Sequence, residues 1–166
     1  MAVHTARIGD IVFGRAPDSL EALALGSCVA AFIYDKEAKI GVCAHILLPE
    51  SNEYMIQKDS NHKLGKYADS AIPASISLLV TKGGKRERFE AKIAGGAKMF
   101  NLELQKKSPL DVGSRNILAV KAQLQSNNIA LVAEDVGENY GRTVVFDLGK
   151  SILTIKQGLL KIVRYI

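Results

Sequence analysis

The sequence contains no tryptophan, only two cysteines and few aromatic residues, and each shortage argues against a class of protein. Aromatic residues make up 6% of the 166 positions, and no aromatic RNA-binding signature is present among them. Two cysteines cannot build the disulfide framework of a small secreted domain. We therefore expect both cysteines to be free thiols.

Long apolar runs and a secretory leader are also missing. The longest nearly apolar run, residues 23–34, is shorter than the roughly 20 residues that a membrane-spanning helix needs. The opening "MAVHTARIGDIVFG" lacks a basic head followed by an apolar stretch and a small-residue cleavage site. These absences predict a soluble, cytoplasmic protein, and the length predicts a single domain over residues 1–166.

Positive charge exceeds negative charge, with 22 Lys and Arg against 17 Asp and Glu and a net charge of +5. The densest basic stretch, "TKGGKRERFEAK" (81–92), is interrupted by Glu87 and Glu90. No helix-turn-helix or zinc-finger signature is present. A solvated surface is favoured over a nucleic-acid-binding module, which would show steeply salt-sensitive binding.

The apolar pattern predicts more strands than helices. The predicted helices cover 67–80 and 113–128, the second with Ser114 as its N-cap. The predicted strands are 7–14, 28–34, 40–48, 89–100, 129–136, 141–149, 151–156 and 159–165. Because strands and helices do not alternate strictly, an α+β layered fold is favoured over a doubly wound one.

Residues 23–51 contain both cysteines and one of the three histidines. A turn at residues 35–38 would pair Tyr34 with Lys39 and place Cys28 directly opposite His45. Any even loop length keeps the two on one face of the hairpin, whereas an odd one turns His45 away. A thiol beside an imidazole is the arrangement of a nucleophilic cysteine.

Plainer interpretations compete with this one. A free cysteine in an apolar strand is usually a small hydrophobic residue, and we favour that for Cys43, which would lie diagonal to Cys28. A two-residue turn would oppose the two cysteines, but Asp35-Lys36 lacks the glycine or asparagine that such turns prefer. A metal site is disfavoured because a fourth ligand with recognisable spacing is missing.

The residues before Cys28 distinguish it from Cys43. Gly26-Ser27 gives a flexible, close approach to the strand and leaves the backbone N–H groups of Ser27 and Cys28 available to an oxyanion. On chemistry alone, the nucleophilic and core-filling interpretations of Cys28 stay equal. His45 by itself fits a core histidine equally well.

Five sequence blocks in order resemble one family. They are "LGSCVAAFIYD…IGVCAHILLP", "GKYADSA" (65–71), "AKIAGGAKMF" (91–100), "GSRN" (113–116) and "AEDVGENYGR" (133–142). Together they resemble the CheD family, the chemoreceptor glutamine deamidases of bacterial and archaeal chemotaxis. The resemblance implies a layered α/β sandwich of mixed β-sheets with two to three helices packed outside.

The resemblance also implies an activity. The family converts specific glutamines of methyl-accepting chemotaxis receptors to glutamates, releasing ammonia through a cysteine thioester. The resemblance places the family's nucleophile at Cys28 and its catalytic histidine at His45. It also implies that no metal or organic cofactor is required. Its partners are the cytoplasmic helices of the receptors and often the phosphatase CheC.

One position departs from the family pattern. The family commonly has a threonine six residues before the cysteine, which orients the histidine, and Ala22 stands there. Because alanine cannot bond an imidazole, a backbone carbonyl or another side chain must do so if the site is active. A non-catalytic adaptor that binds receptor helices or CheC is therefore the alternative function. We expect Gly95-Gly96, Glu134, Asp135 and Arg142 to be structural.

Overall fold

The computed structural model describes residues 1–99 and 111–166, which form two β-sheets and three α-helices. The helices are α1 (Glu53–Lys58), α2 (Ala68–Thr81) and α3 (Val112–Ser126). The strands are β1 (Val3–Thr5), β2 (Ile11–Arg15), β3 (Ser19–Leu25), β4 (Val29–Asp35), β5 (Ile40–Ile46), β6 (Phe89–Gly95), β7 (Ala130–Val136), β8 (Arg142–Asp147), β9 (Ile152–Gln157) and β10 (Ile162–Tyr165).

Each sheet has five strands and mixes parallel with antiparallel pairs. The first sheet has the order β1-β3-β8-β9-β10, and the second has the order β2-β5-β4-β6-β7. The β1–β3 and β6–β7 pairs are parallel, and the other pairs are antiparallel. The predicted α+β sandwich of mixed sheets is confirmed.

Two apolar layers hold the two sheets and the helices together. One lies between the sheets, where Phe32 of β4 meets Phe146 of β8 with ring centroids 5.5 Å apart. The other lies between the second sheet and helices α2 and α3. All residues of β4 and β5 are buried, because these two central strands are covered on both faces. This explains their nearly continuous apolar sequence.

The predicted helices are confirmed, with one wrong detail at a terminus. In α2, the buried residues include Ala68, Ile72, Ile76 and Leu79, the positions that helical spacing predicted. The N-cap of α3 is Asp111 and not Ser114, because the Asp111 carboxylate accepts hydrogen bonds from both the backbone N and Oγ of Ser114.

The sequence pattern missed β1 and β3 and placed the start of β2 too early. In β3 the pairing with β8 shifts between Ala22 and Leu25, and Ala24 has a φ of +51°. This irregularity interrupts the alternation that identifies a strand. The predicted strand 89–100 ends earlier, at Gly95, and its last residue, Phe100, lies outside the described residues.

No helix in the described ranges is both long enough and apolar enough to cross a membrane.

Candidate active site

The β4–β5 hairpin brings Cys28 and His45 to the same face, but not directly opposite each other. The residue paired with His45 is Ala30, so the predicted pairing of Cys28 with His45 was wrong. The turn comprises residues 36–39 rather than 35–38. Asp35 ends β4, and its carboxylate accepts hydrogen bonds from two backbone N–H groups in the middle of this turn. These hydrogen bonds shift the turn, and with it the pairing of the two strands, by one residue on each strand relative to the prediction.

The loop between the paired ends still contains an even number of residues, so both side chains project toward the first sheet. Cys28 belongs to the apolar layer between the sheets, together with Ala30 and Cys43, and His45 lies two residues from Cys43 on β5. Diagonal neighbours on adjacent strands lie roughly 7–8 Å apart, within reach of a long side chain. The thiol and the imidazole therefore line one end of the same layer.

Cys28 is a buried thiol at the edge of this layer. It immediately precedes β4, and 8% of its surface is exposed. Burial raises the pKa of the Cys28 thiol above its ordinary value, because removal from water disfavours the thiolate. The thiol is therefore neutral near pH 7 until a base removes its proton.

His45 is held by the main chain. Its Nδ1 lies 2.9 Å from the carbonyl oxygen of Ala6, in the segment between β1 and β2. A carbonyl can only accept, so Nδ1 carries the hydrogen, and in the neutral ring Nε2 keeps its lone pair. Burial lowers the pKa of His45, although the Ala6 carbonyl and the charge of Asp10 partly oppose this. The ring is therefore neutral and can act as a base.

The Ala6 carbonyl gives His45 a hydrogen-bond partner, which the alanine side chain at position 22 cannot provide. Ala22 is fully buried on β3, in the apolar layer opposite the hairpin, and pairs with Val144. Of the two replacements expected for a hydroxyl at position 22, a backbone carbonyl or another side chain, the structure has a backbone carbonyl. Sequence reasoning could not identify this group, because a carbonyl belongs to every residue and leaves no signal in the side-chain pattern.

Three successive carbonyls fix the loop that carries Cys28. The Gly26 oxygen accepts from Ala97 N at 2.9 Å, and the Cys28 oxygen accepts from Gly96 N at 2.8 Å. Between them, the Ser27 oxygen accepts from the side chain of Asn116 at 2.9 Å. The sequence pattern included Asn116 in the "GSRN" block but gave it no role.

The glycine pair at the end of β6 is required by this contact. Gly95 has a φ of +111°, and a Cβ there would lie 2.2 Å from the carbonyl oxygen of Cys28. Any side chain would displace the loop. The expected structural role of Gly95-Gly96 is therefore also a role in shaping the site.

Cys43 has a different environment. It lies opposite Phe32, further from Cys28 than predicted, and is completely buried. Burial raises the pKa of its thiol strongly. Both cysteines are free. Cys43 therefore fits the core-filling role that its sequence context predicts.

Three of the charged residues of the "AEDVGENYGR" block form ion pairs, and Asp135 takes part in two of them. Arg142 is fully buried and binds the carboxylate of Asp135 at 2.5 Å and the carbonyl oxygen of Gly137. Glu134 pairs instead with Lys121 of α3 at 2.7 Å. These contacts agree with the expected structural role of the block.

Within residues 1–99 and 111–166, no group of three or more His, Cys, Asp or Glu side chains is arranged to hold a metal ion.

Comparison with known proteins identifies the family. Residues 47–157 match the CheD family, described as CheD chemotactic sensory transduction. A probable chemoreceptor glutamine deamidase CheD from Methanococcus vannielii is 45% identical over 156 residues, covering 94% of this chain and 96% of the relative. The chemoreceptor glutamine deamidases CheD of Bacillus licheniformis and Bacillus subtilis are 39% and 36% identical, covering 92% and 91% of this chain and 90% of each relative. The chain belongs to the CheD family.

Proposed function

We propose that this protein is a receptor-modifying enzyme that hydrolyses the side-chain amide of specific chemoreceptor glutamines to glutamate and ammonia. Its relatives from Methanococcus and Bacillus are named chemoreceptor glutamine deamidases. One observation carries the proposal. The His45 ring lies on the same hairpin face as Cys28, and the Ala6 carbonyl fixes it at Nδ1. Nε2 of the neutral ring is then the proposed base for the Cys28 thiol.

The first half of the reaction forms a thioester. His45 accepts the thiol proton at Nε2 as the Cys28 sulfur attacks the carboxamide carbon. The new C–S bond converts the amide oxygen to an oxyanion, for which the backbone N–H groups of Ser27 and Cys28 are the proposed donors. The protonated imidazole then gives its proton to the nitrogen, and ammonia leaves as the C–N bond breaks.

The second half regenerates the enzyme. His45, now neutral, accepts a proton from water as the water oxygen attacks the thioester carbon. The C–S bond breaks, the proton returns to the Cys28 sulfur, and glutamate is released. Each step uses only groups of this chain, the substrate and water.

The protonation states fit a base-assisted thiol rather than a preformed ion pair. The pKa of Cys28 is raised by burial and the pKa of His45 is lowered by burial. Both shifts favour the neutral thiol and the neutral imidazole in the resting enzyme. The proton therefore moves during the attack, and the buried positive charge exists only while the oxyanion is present to balance it.

The receptors are the proposed partners, and two finer points belong to the same proposal. The modified glutamines lie on cytoplasmic receptor helices, so the enzyme acts in the cytoplasm. The phosphatase CheC is a second proposed partner, on the strength of the family resemblance. The net charge of +5 favours association with acidic helices.

The test is mass spectrometry of a receptor cytoplasmic fragment after incubation with the wild-type protein, Cys28→Ala and Cys43→Ala. We expect glutamine-to-glutamate conversion by the wild type and by Cys43→Ala, and none by Cys28→Ala. Cys43→Ala is the matched control because it removes a buried thiol from the same face of the hairpin.

Two other outcomes would contradict the proposal. Binding of the fragment without conversion by any of the three proteins would favour the adaptor function. Equal conversion by the wild type and Cys28→Ala, with loss in Cys43→Ala, would move the nucleophile to Cys43.

A further inference from the structure

We propose that Asn116 is a positioning residue for deamidation, which ties the nucleophile loop and the histidine strand to helix α3. The proposal rests on the function proposed above and deepens it. Asn116 is completely buried, in the second turn of α3. It contacts neither the thiol nor the imidazole through a hydrogen bond, and it acts on both through the backbone.

The Asn116 amide bridges the two segments that carry the reacting groups. Its Nδ2 donates to the carbonyl oxygen of Ser27 and to the carbonyl oxygen of Leu47, each at 2.9 Å. Ser27 immediately precedes Cys28, and Leu47 follows His45 by two residues. One side chain therefore sets the distance between the start of β4 and the end of β5, where the site lies.

The orientation of the amide follows from chemistry. Both neighbours of Nδ2 are carbonyl oxygens, which can only accept, so the reversed amide would place Oδ1 against two acceptors. In the observed orientation both amide hydrogens are used. The buried Oδ1 has no hydrogen-bond partner among residues 1–99 and 111–166.

The unpartnered oxygen argues against a role for Asn116 in core filling alone. A buried polar atom without a partner is destabilising, so an asparagine that only filled space would be less stable here than an apolar residue of the same size. The asparagine is therefore explained by what its two N–H bonds hold in place. Both bonds end on the backbone of the site.

The bond to Ser27 also sets the direction of the proposed oxyanion donor. In a trans peptide the C=O and the N–H point in opposite directions. Because the Ser27 oxygen points at Asn116, the N–H of Cys28 points away from α3. The Gly26 oxygen points at Ala97 N, so the N–H of Ser27 points away from Ala97. Outside the strand ladders, neither N–H donates to a backbone oxygen within the described ranges.

Helix α3 is a firm support for this side chain. A Cβ on Gly113 would lie 2.5 Å from the carbonyl oxygen of Gly96, so the first turn of the helix rests directly on the loop after β6. That loop binds the carbonyls on both sides of Ser27. The helix, the glycine loop and the nucleophile loop therefore form one continuous set of backbone contacts.

The test compares Asn116→Ala with Val120→Ala. Val120 is equally buried, one turn further along α3, in the layer between the helices and the second sheet. We expect Asn116→Ala to lower kcat for a receptor fragment about tenfold to hundredfold, because a small misplacement of reacting groups is costly, with KM changed less than about twofold. Val120→Ala should lower the melting temperature but leave kcat close to that of the wild type.

A second readout does not depend on activity. Hydrogen–deuterium exchange should accelerate in peptides covering residues 26–30 and 45–48 in Asn116→Ala, and should not do so selectively in Val120→Ala. If Asn116→Ala does not fold, Asn116→Ser takes its place, since its shorter side chain cannot bridge two carbonyls.

The outcomes separate this inference from the proposed function. A wild type that converts no glutamine overturns the function, and the positioning role for deamidation with it. Conversion by the wild type with equal kcat losses in Asn116→Ala and Val120→Ala, or unchanged exchange at residues 26–30, overturns the positioning role alone.

Discussion

The two ends of the β4–β5 hairpin bury polar groups in opposite ways. At the turn, the fully buried Asp35 carboxylate is paired with Arg88 at 2.6 Å and accepts backbone hydrogen bonds from Glu37, Ala38 and Lys85. At the open end, Cys28 and His45 are also buried, but neither has a charged partner on the hairpin.

The difference shows in the pKa shifts. Burial alone would raise the pKa of Asp35, but the hydrogen bonds from Ala38, Lys85 and Arg88 outweigh it, and the pKa is lowered. At the open end burial dominates, raising the pKa of Cys28 and lowering that of His45. The turn end therefore keeps a permanent charge, whereas the open end keeps neutral groups, as the proposed proton transfer from Cys28 to His45 requires.

The largest expected effect is on activity at the open end. His45→Gln should lower kcat/KM for receptor deamidation by roughly 10²–10⁴-fold, the usual contribution of a general base, and should leave the fold intact. Kinetics on a receptor fragment, with circular dichroism as the control for folding, checks this. A loss below about threefold would mean that another group accepts the thiol proton.

The next effect is on stability at the turn end. Asp35→Ala removes one of the two carboxylates that pair with Arg88 and leaves backbone donors unpaired, which we expect to lower the free energy of unfolding by about 2–4 kcal/mol. Urea unfolding measures this. Deamidation per folded molecule should stay close to that of the wild type. A large loss of activity in fully folded Asp35→Ala would show that the two ends are coupled.

The two ends of the hairpin should affect the free energy of unfolding in different pH ranges. The unfolded chain binds a proton at His45 near pH 6.5, and the folded chain does so only at a lower pH, so stability falls as pH drops below about 6.5. The Asp35 contribution is present above its unfolded pKa of 3.8 and is lost as pH falls below that value. Urea unfolding from pH 7.5 to pH 4.5 should therefore show a slope that is reduced in His45→Gln and retained in Asp35→Asn.

The smallest effect should come from placing at position 22 the threonine that the family resemblance implies. Ala22→Thr places a hydroxyl in the apolar layer that faces the hairpin, but His45 Nδ1 already has the Ala6 carbonyl as its partner. We expect deamidation to change by less than about twofold, with some loss of stability from overpacking. A gain of tenfold or more would show that the carbonyl orients the ring poorly.

The sequence predicted the geometry of the candidate site that depends on alternation along the strands. The shared face of Cys28 and His45 followed from the two-residue period of a strand, which is kept by any turn with an even number of residues. The exact pairing did not, because the turn is set by how Asp35 bonds the backbone of residues 37 and 38. Strand β3 was missed because its bulge at Ala24 breaks the alternation.

The groups that hold the site in place were the hardest to predict. The Ala6 carbonyl lies 39 residues from His45 in the chain, and Asn116 lies 89 residues from Ser27. Such contacts depend on how the two sheets and α3 are stacked, and local sequence patterns carry no information about them. Asn116 was visible only as part of a block of resemblance.

The backbone partner of His45 also has a genetic consequence. A single nucleotide change can delete a threonine hydroxyl, but no substitution at position 6 deletes the carbonyl oxygen that Nδ1 binds. Damage to this interaction must come through displacement of the chain, for example by a larger side chain at the buried Ala6. In a mutational scan, position 6 should therefore be sensitive to the size of its side chain but not to the ability of that side chain to form hydrogen bonds. A threonine in a catalytic triad would show the reverse.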